Sequence, residues 1–411
     1  MKAEIITVGT ELLLGQTLDT NSQLISQYLN EWGVDVTFRQ TVGDNKQRLQ
    51  AAFKLALSRA DMVVLSGGLG PTEDDLTKEI VSQVLGISLL RDSSAIEKIR
   101  LHFEQGHRKI AENNWQQADY LEGGYPLENK EGLAVGSYWE QKGKIVVLLP
   151  GPPKECQSIL EGALRSQMLE RFKGQKVLYS RYIHLYGIGE SEVASRLRDL
   201  IHQQSDPTIA LYAKPTEVCI RLSTKASSQE EADEIFKSPA QIIQKALSQF
   251  IYAEGKSTSL AKKAMKLLQE KDLSLAVAES LTGGLMMGQL TAIPGASIVL
   301  KGGVVSYASE VKRDLLGVSK SIIDAYGVVS EQCAREMANH VRKLCRADIG
   351  IALTGVAGPS QQEGKAVGTV YIAIALAENT YVLENNFSGN RERIRQHAIH
   401  KALFELLHLL Q

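Results

Sequence analysis

The sequence predicts an α/β protein of more than one domain, and three observations carry that expectation. Short apolar runs alternate with helix-length periodic segments over residues 4–174, and the same alternation returns after residue 255; strands separated by crossover helices build a mostly parallel sheet with helices on its faces. Glycine and hydroxyl residues cluster directly after the strand-like runs, where the chain turns into a helix. At 411 residues the chain exceeds one ordinary core, so two or three domains of about 100 to 200 residues are expected.

Composition narrows the function classes. The chain is 44% hydrophobic and 23% charged, the average for soluble globular proteins. Lysine and arginine total 46 against 47 aspartate and glutamate, a formal net charge of −1, so no general pull toward nucleic acid or an anionic membrane is expected. Cys156, Cys219, Cys333 and Cys345 are scattered without C-x-x-C spacing and read as reduced core thiols, not as a zinc site or disulfide framework. The opening Met1-Lys2-Ala3-Glu4 leads straight into a strand pattern, and no apolar run is long enough to span a bilayer. The cytoplasm is the expected compartment.

In chain order, residues 5–8, 35–42, 62–65 and 144–149 read as strands, with helices over 20–32 and 46–58. Three loops follow these strands: Gly9-Thr10-Glu11-Leu12-Leu13, Gly67-Gly68-Leu69-Gly70-Pro71-Thr72-Glu73-Asp74-Asp75, and Pro150-Gly151-Pro152-Pro153. Strand carboxyl ends gather at one edge of a parallel sheet, so the loops should meet there. Their glycines let a phosphate approach the backbone, and the paired carboxylates suit a hard divalent cation. No G-x-x-x-x-G-K-[ST] is present, which excludes a P-loop nucleotidase.

Residues 173–253 form a smaller α+β pattern: strands over 177–185, 208–212 and 218–223, a helix over 190–203, and a long helix over 230–250. Gly187-Ile188-Gly189-Glu190 is not the basic G-x-x-G loop with which a KH fold grips RNA. The segment therefore reads as a spacer or dimerisation element.

From residue 254 a helix over 260–271 precedes the apolar run 273–278 and the turn Glu279-Ser280-Leu281-Thr282-Gly283-Gly284. A turn between a strand end and a helix start can hold an anion or an oxyanion, and Ser280 is the candidate nucleophile there. The alternative, that Ser280 or Thr282 only caps the helix, is equally compatible with the residues. Next come Gly302-Gly303-Val304-Val305-Ser306-Tyr307 with Lys312, a helix over 331–345, and a strand over 349–353 leading into Thr354-Gly355-Val356-Ala357-Gly358-Pro359. Strands over 367–376 and 381–387 and a helix over 391–410 follow. A serine is a poor nucleophile until a neighbour takes its proton, and a lysine of lowered pKa can do so. His340, His397, His400 and His408 all fall on predicted helices, away from these loops.

The quoted motifs of both ends resemble the CinA family of competence- and damage-inducible proteins. The resemblance implies three parts: an N-terminal molybdopterin-binding-like α/β sandwich over 1–172, a small α+β KH-like connecting domain over 173–253, and a C-terminal α/β deamidase domain over 254–411. For the N-terminal part it implies hydrolysis of ADP-ribose to AMP and ribose 5-phosphate. Glu11, Asp74 and Asp75 would hold a divalent metal, with or without a monovalent cation, and Gly67, Gly68, Gly70, Thr72 and Gly151 would contact substrate. For the C-terminal part it implies deamidation of nicotinamide mononucleotide without a cofactor. Ser280 would be the nucleophile, and Tyr307 and Lys312 would manage its proton. Glu279, Thr282, Gly283, Gly284, Thr354, Gly355, Ala357, Gly358 and Arg391 would surround the substrate, the Thr282-Gly283-Gly284 amides supplying an oxyanion hole or phosphate seat. A homodimer is implied, with no membrane or nucleic-acid partner.

Two departures stand out. Leu281 occupies a position where members often carry Cys. Ser360-Gln361-Gln362-Glu363-Gly364-Lys365 replaces a glycine-rich stretch, which predicts a stiffer loop. Two other functions fit the residues: a protein that binds a pterin or nucleotide without cleaving it, and a competence or recombination accessory acting through macromolecular contacts.

Overall fold

The computed structural model describes residues 1–172 and 176–410. The boundary expected at 172/173 therefore abuts 173–175, which lie outside the described residues, as does residue 411. Contacts group the chain into two compact units, Met1–Tyr179 with Thr224–Asp233, and Ser180–Ser223 with Glu234–Gln411.

The first unit is built on β1 (Lys2–Val8), α1 (Thr20–Glu31), β2 (Asp35–Val42), α2 (Lys46–Arg59) and β3 (Met62–Ser66). It continues with α3 (Thr77–Leu85), α4 (Ser93–Gln105), β4 (Tyr125–Leu127), β5 (Gly136–Gln141), β6 (Lys144–Leu149) and α5 (Pro153–Glu161). The sheet order is β2-β1-β3-β6-β5-β4. The first four strands are parallel, and β5 and β4 add an antiparallel edge, so the expected mostly parallel sheet is mixed at one side. The apolar runs of β1, β3 and β6 are buried on both faces and feed two separate cores, as a parallel sheet covered by helices requires. The parallel register brings the carboxyl ends of β1, β3 and β6, with their three loops, to one edge.

Next in the chain come β7 (Val177–Tyr186), α6 (Glu190–Arg196), α7 (Arg198–His202), β8 (Thr208–Ala213), β9 (Glu217–Ala226), α8 (Gln229–Leu247) and β10 (Ile251–Glu254), all in the second unit except the start of β7, the end of β9 and the first residues of α8. These strands form one sheet in the order β8-β9-β7-β10. The single helix expected over 190–203 is interrupted at Leu197, whose φ of −105° and ψ of 17° leave the helical range.

The second unit continues with α9 (Leu260–Glu270), β11 (Leu275–Glu279), α10 (Leu285–Thr291), β12 (Leu300–Val305), α11 (Ser309–Asp314), α12 (Glu331–Leu344), β13 (Ile349–Gly355), β14 (Thr369–Ala375), β15 (Thr380–Asn386) and α13 (Arg391–Leu410). The sheet order is β12-β11-β13-β14-β15, with β11 parallel to both neighbours and the last two strands antiparallel. Side chains alternate across it. Leu275, Val277, Ile349 and Ile351 face the core under α9 and α13, while Ala276, Ala278, Ala352 and Ala373 face α12. Small residues on the second face let α12 approach closely: a Cβ at Gly350 would stand 2.1 Å from the carbonyl oxygen of Ala338. No described helix is long and apolar enough to cross a membrane.

Candidate active site

The central strand β11 ends at Glu279, so Ser280 stands at a strand carboxyl end, where parallel α/β sheets place ligands. The backbone is fixed on both sides: the amide of Ser280 donates to Leu353 O at 2.9 Å and that of Ser306 to Glu279 O at 2.8 Å. Lys312, on α11, is not the solvated charge that a lysine near a helix start ordinarily is. It is 1% exposed, and its Nζ lies 3.0 Å from Ser280 Oγ, 2.6 Å from Ser306 O and 3.4 Å from Tyr307 O. Desolvation holds its pKa below the ordinary lysine value, and only the more distant Cys333 and Glu363 oppose that shift. Carbonyl oxygens only accept, so two N–H bonds of a neutral Lys312 are directed to Ser306 and Tyr307. Its lone pair is left for the Ser280 hydroxyl. That is the geometry of a Ser-Lys nucleophile and base.

The pair opens into a cavity of about 410 Å³ lined by Ser280, Tyr307, Lys312, Thr354, Gly355, Ala357, Gly358 and Arg391, among others. Arg391 closes one side, donating from Nη1 to Gly358 O at 2.8 Å and from Nη2 to the Tyr307 hydroxyl at 3.0 Å. Tyr307 is 61% exposed, and its hydroxyl hydrogen-bonds neither Ser280 nor Lys312 among the described residues. The structure thus places its side chain at the rim with Arg391, and of the two residues only Lys312 contacts Ser280. Thr354 lines the wall, but its hydroxyl donates inward to Val328 O at 2.7 Å.

Four residues expected to touch substrate make contacts within or onto the turn itself. Glu279 is fully buried, and its carboxylate accepts from the amides of Gly284 at 3.0 Å, Met286 at 3.1 Å and Met287 at 2.8 Å. It caps α10 from inside the turn and does not line the cavity, nor do Thr282, Gly283 or Gly284. Gly283 N donates to Ser280 O at 3.1 Å, so two of the three amides expected to form the oxyanion hole already have internal acceptors. Gly283 and Gly284 adopt φ of 58° and 88°, left-handed conformations that let the turn curl around the Glu279 carboxylate.

Sequence reasoning missed three contributors. Ser306 O receives Lys312 Nζ. Arg395 donates from Nη2 to Thr282 O at 2.6 Å, clamping the turn from α13. Glu363 accepts from the amides of Val328 at 3.2 Å and Val329 at 3.1 Å, both at the cavity wall. The glycine-poor loop is therefore pinned by a carboxylate. Of the three, only Arg395 left a trace in the sequence, one helical turn after Arg391.

In the first unit, the three strand-end loops enclose a cavity of about 760 Å³ whose lining includes Gly67, Gly68, Gly70, Thr72, Gly151, Glu11, Asp74 and Asp75. Asn21 on α1 ties two of these loops together, donating from Nδ2 to Ser66 Oγ at 2.9 Å and Gly151 O at 2.7 Å. Gly68, at φ 68°, sits against Thr77, where a Cβ would stand 2.3 Å from Oγ1. The carboxylates do not converge as a metal group. Among the described residues no three Asp, Glu, His or Cys side chains form a potential metal cluster, and Asp75 Oδ2 accepts from Thr72 N at 2.9 Å and Thr72 Oγ1 at 2.6 Å. Glu11, Asp74 and Asp75 thus line one cavity without making a preassembled metal site.

Comparison with known proteins matches the chain in three segments. Residues 4–170 match a family described as a probable molybdopterin binding domain, 180–253 the damage-inducible protein CinA KH domain, and 257–410 the CinA C-terminal domain. A competence-damage inducible protein from Geobacillus sp. (strain WCH70) is 46% identical over 396 residues, covering 96% of this chain and 95% of that one. One from Caldicellulosiruptor bescii is 45% identical over 397 residues, covering 96% of each. Among solved structures, a CinA protein of unknown function from Thermoplasma acidophilum is 34% identical with a TM-score of 0.37, covering 41% of this chain and 97% of that one.

Proposed function

The chain belongs to the CinA family of competence- and damage-inducible proteins, and from that premise we propose that its C-terminal domain deamidates nicotinamide mononucleotide to nicotinate mononucleotide and ammonia. The observation that carries this reading is the buried contact of Lys312 Nζ with Ser280 Oγ. Neutral Lys312 takes the Ser280 proton as Oγ attacks the carboxamide carbon. The protonated amine then returns the proton to the leaving nitrogen, and ammonia departs with the C–N bond electrons. Water, deprotonated by the same amine, attacks the resulting ester and releases the carboxylate product and the serine hydroxyl. Among the described residues the amide of Leu281, a residue that lines the cavity, has no internal acceptor, and it is left for the developing oxyanion.

The test is ammonia release from nicotinamide mononucleotide by the purified full chain without added metal; a folded chain that releases none overturns the reading. Arg391 closes the rim away from the Ser-Lys pair, and we expect it to hold the substrate phosphate. Arg391→Ala should raise KM roughly tenfold or more with a smaller change in kcat, since it removes binding common to ground and transition states. A fall in kcat at unchanged KM would place Arg391 in the chemical step instead.

For the N-terminal domain we propose a second hydrolysis, of the pyrophosphate bond of ADP-ribose by water to give AMP and ribose 5-phosphate. Its support is the meeting of the three glycine-bearing loops in one cavity. No step is assigned to a metal, because the carboxylates do not form a ligand group. AMP formation from ADP-ribose, measured across a series of divalent ions, should appear with the parent chain and vanish in Asp74→Asn. Binding of ADP-ribose without turnover under every ion would make this domain a nucleotide-binding one.

A further inference from the structure

A second cavity, lined wholly by residues of the second unit (Ser180–Ser223 with Glu234–Gln411), lies outside the site described above. It encloses about 510 Å³ between the β7–α6 loop, the turn joining β8 to β9, and one face of α13, and it shares no lining residue with the Ser280 cavity. Its size is that of a small-molecule pocket. From α13 it receives Arg393, His397 and Lys401, spaced four residues apart on one helix face, and from the turn it receives Lys214.

The charges are not equivalent. Lys214 is paired with Glu217 at 2.9 Å, and Lys401 with Glu405 at 2.6 Å. Both Glu217 oxygens are engaged, one by Lys214 and one by the Tyr252 hydroxyl at 2.5 Å. Glu190 is the other carboxylate in the lining. Arg393 makes no ion pair among the described residues; its Nε lies 3.4 Å from His397 Nε2. The guanidinium stem is seated over Gly389, where a Cβ would stand 2.7 Å from Arg393 Cδ. Beside it the ring of His397 stacks on Phe387, centroids 5.5 Å apart at 19°, and both rings border the cavity. The pocket thus offers a cation without a carboxylate partner next to a flat aromatic surface. Guanidinium forks match phosphate oxygens, and stacked rings accept a planar base.

We propose that this cavity binds a phosphate-bearing aromatic ligand of the mononucleotide class, at a site separate from the Ser280 cavity. The site also has a route to the catalytic turn. Arg393 and His397 share α13 with Arg391, which holds Gly358 and Tyr307, and Arg395, which holds Thr282. A ligand that orders the first turns of α13 favours the clamped form of the Ser280 turn. The binding inference does not rest on the deamidase reading, and its test reads binding directly.

The experiment is a titration of the full chain with AMP, and separately with inorganic phosphate, following histidine ring proton resonances by NMR. The His397 signal is assigned by its loss in His397→Gln. AMP is expected to shift that signal saturably, and Arg393→Ala, checked for an unchanged thermal midpoint, should weaken the effect about tenfold or more. No shift of His397 at millimolar AMP overturns the proposal, as does a shift that Arg393→Ala leaves unchanged, because AMP then acts from another site. Equal affinity for inorganic phosphate overturns the assignment to mononucleotides. None of these outcomes depends on whether ammonia is released.

Discussion

Ser280→Ala and Lys312→Met are each expected to lower ammonia release from nicotinamide mononucleotide by at least about a thousandfold, with the fold intact by circular dichroism. The two groups act as one unit, so the double variant should be scarcely worse than either single one. Lysine at neutral pH is ordinarily protonated and useless as a base. Burial of Lys312 disfavours its charged form and lowers its pKa, so kcat/KM should rise with pH through a midpoint below the usual lysine range.

The same burial fixes a stability sign. The folded chain releases the Lys312 proton at lower pH than the unfolded chain, so between the two pKa values the unfolded state binds more protons and stability rises with pH. Below the folded pKa the full cost of the buried charge is present. Lys312→Met removes that cost, and its stability advantage over the parent should grow as pH falls from the unfolded lysine pKa toward the folded one. A parent whose rate is flat with pH across this window, or a Lys312→Met variant retaining more than a tenth of the activity, would sink the assignment of Lys312 as base.

Glu279→Ala should be the most damaging single change to the C-terminal fold. It strands the amides of Gly284, Met286 and Met287, which point at the fully buried Glu279 carboxylate, and empties the space of that carboxylate. Unsatisfied buried donors and a lost buried anion together are expected to cost roughly 3 to 5 kcal/mol, read as a lower urea midpoint. Glu279→Gln keeps the shape but turns a donor toward amides that need an acceptor, and should fall between the two. Activity should decline with stability in both, because the turn carries Ser280. If Glu279→Ala unfolds within about 1 kcal/mol of the parent, the carboxylate is not the anchor its contacts make it.

The architecture was legible because its strands are buried on both faces. Runs such as Met62–Ser66 and Leu275–Glu279 have no polar alternation to confuse with a helix. The antiparallel edge formed by Tyr125–Leu127 and Gly136–Gln141 was not, because one strand has three residues and contains Pro126, too little for a period to register. Ser280 and Lys312 were legible as a pair only through the resemblance. They stand 32 residues apart, and no local pattern states that a lysine on a short helix turns inward. The amide contacts of Glu279 were hidden for a related reason. A carboxylate beside a nucleophile looks like a substrate contact until the structure shows that three amides from its own turn surround it.

The clamp of Arg395 on Thr282 O joins positions 113 residues apart in the chain. At ribosomal rates of about 5 to 20 residues per second, the segment bearing Ser280 precedes its clamp by roughly ten seconds. Through that interval the nascent chain carries nucleophile and base without the arginines that hold turn and rim. On the proposed reading the Ser280 site is therefore incomplete while the chain is being made, and ammonia release should switch on only when the final helix docks.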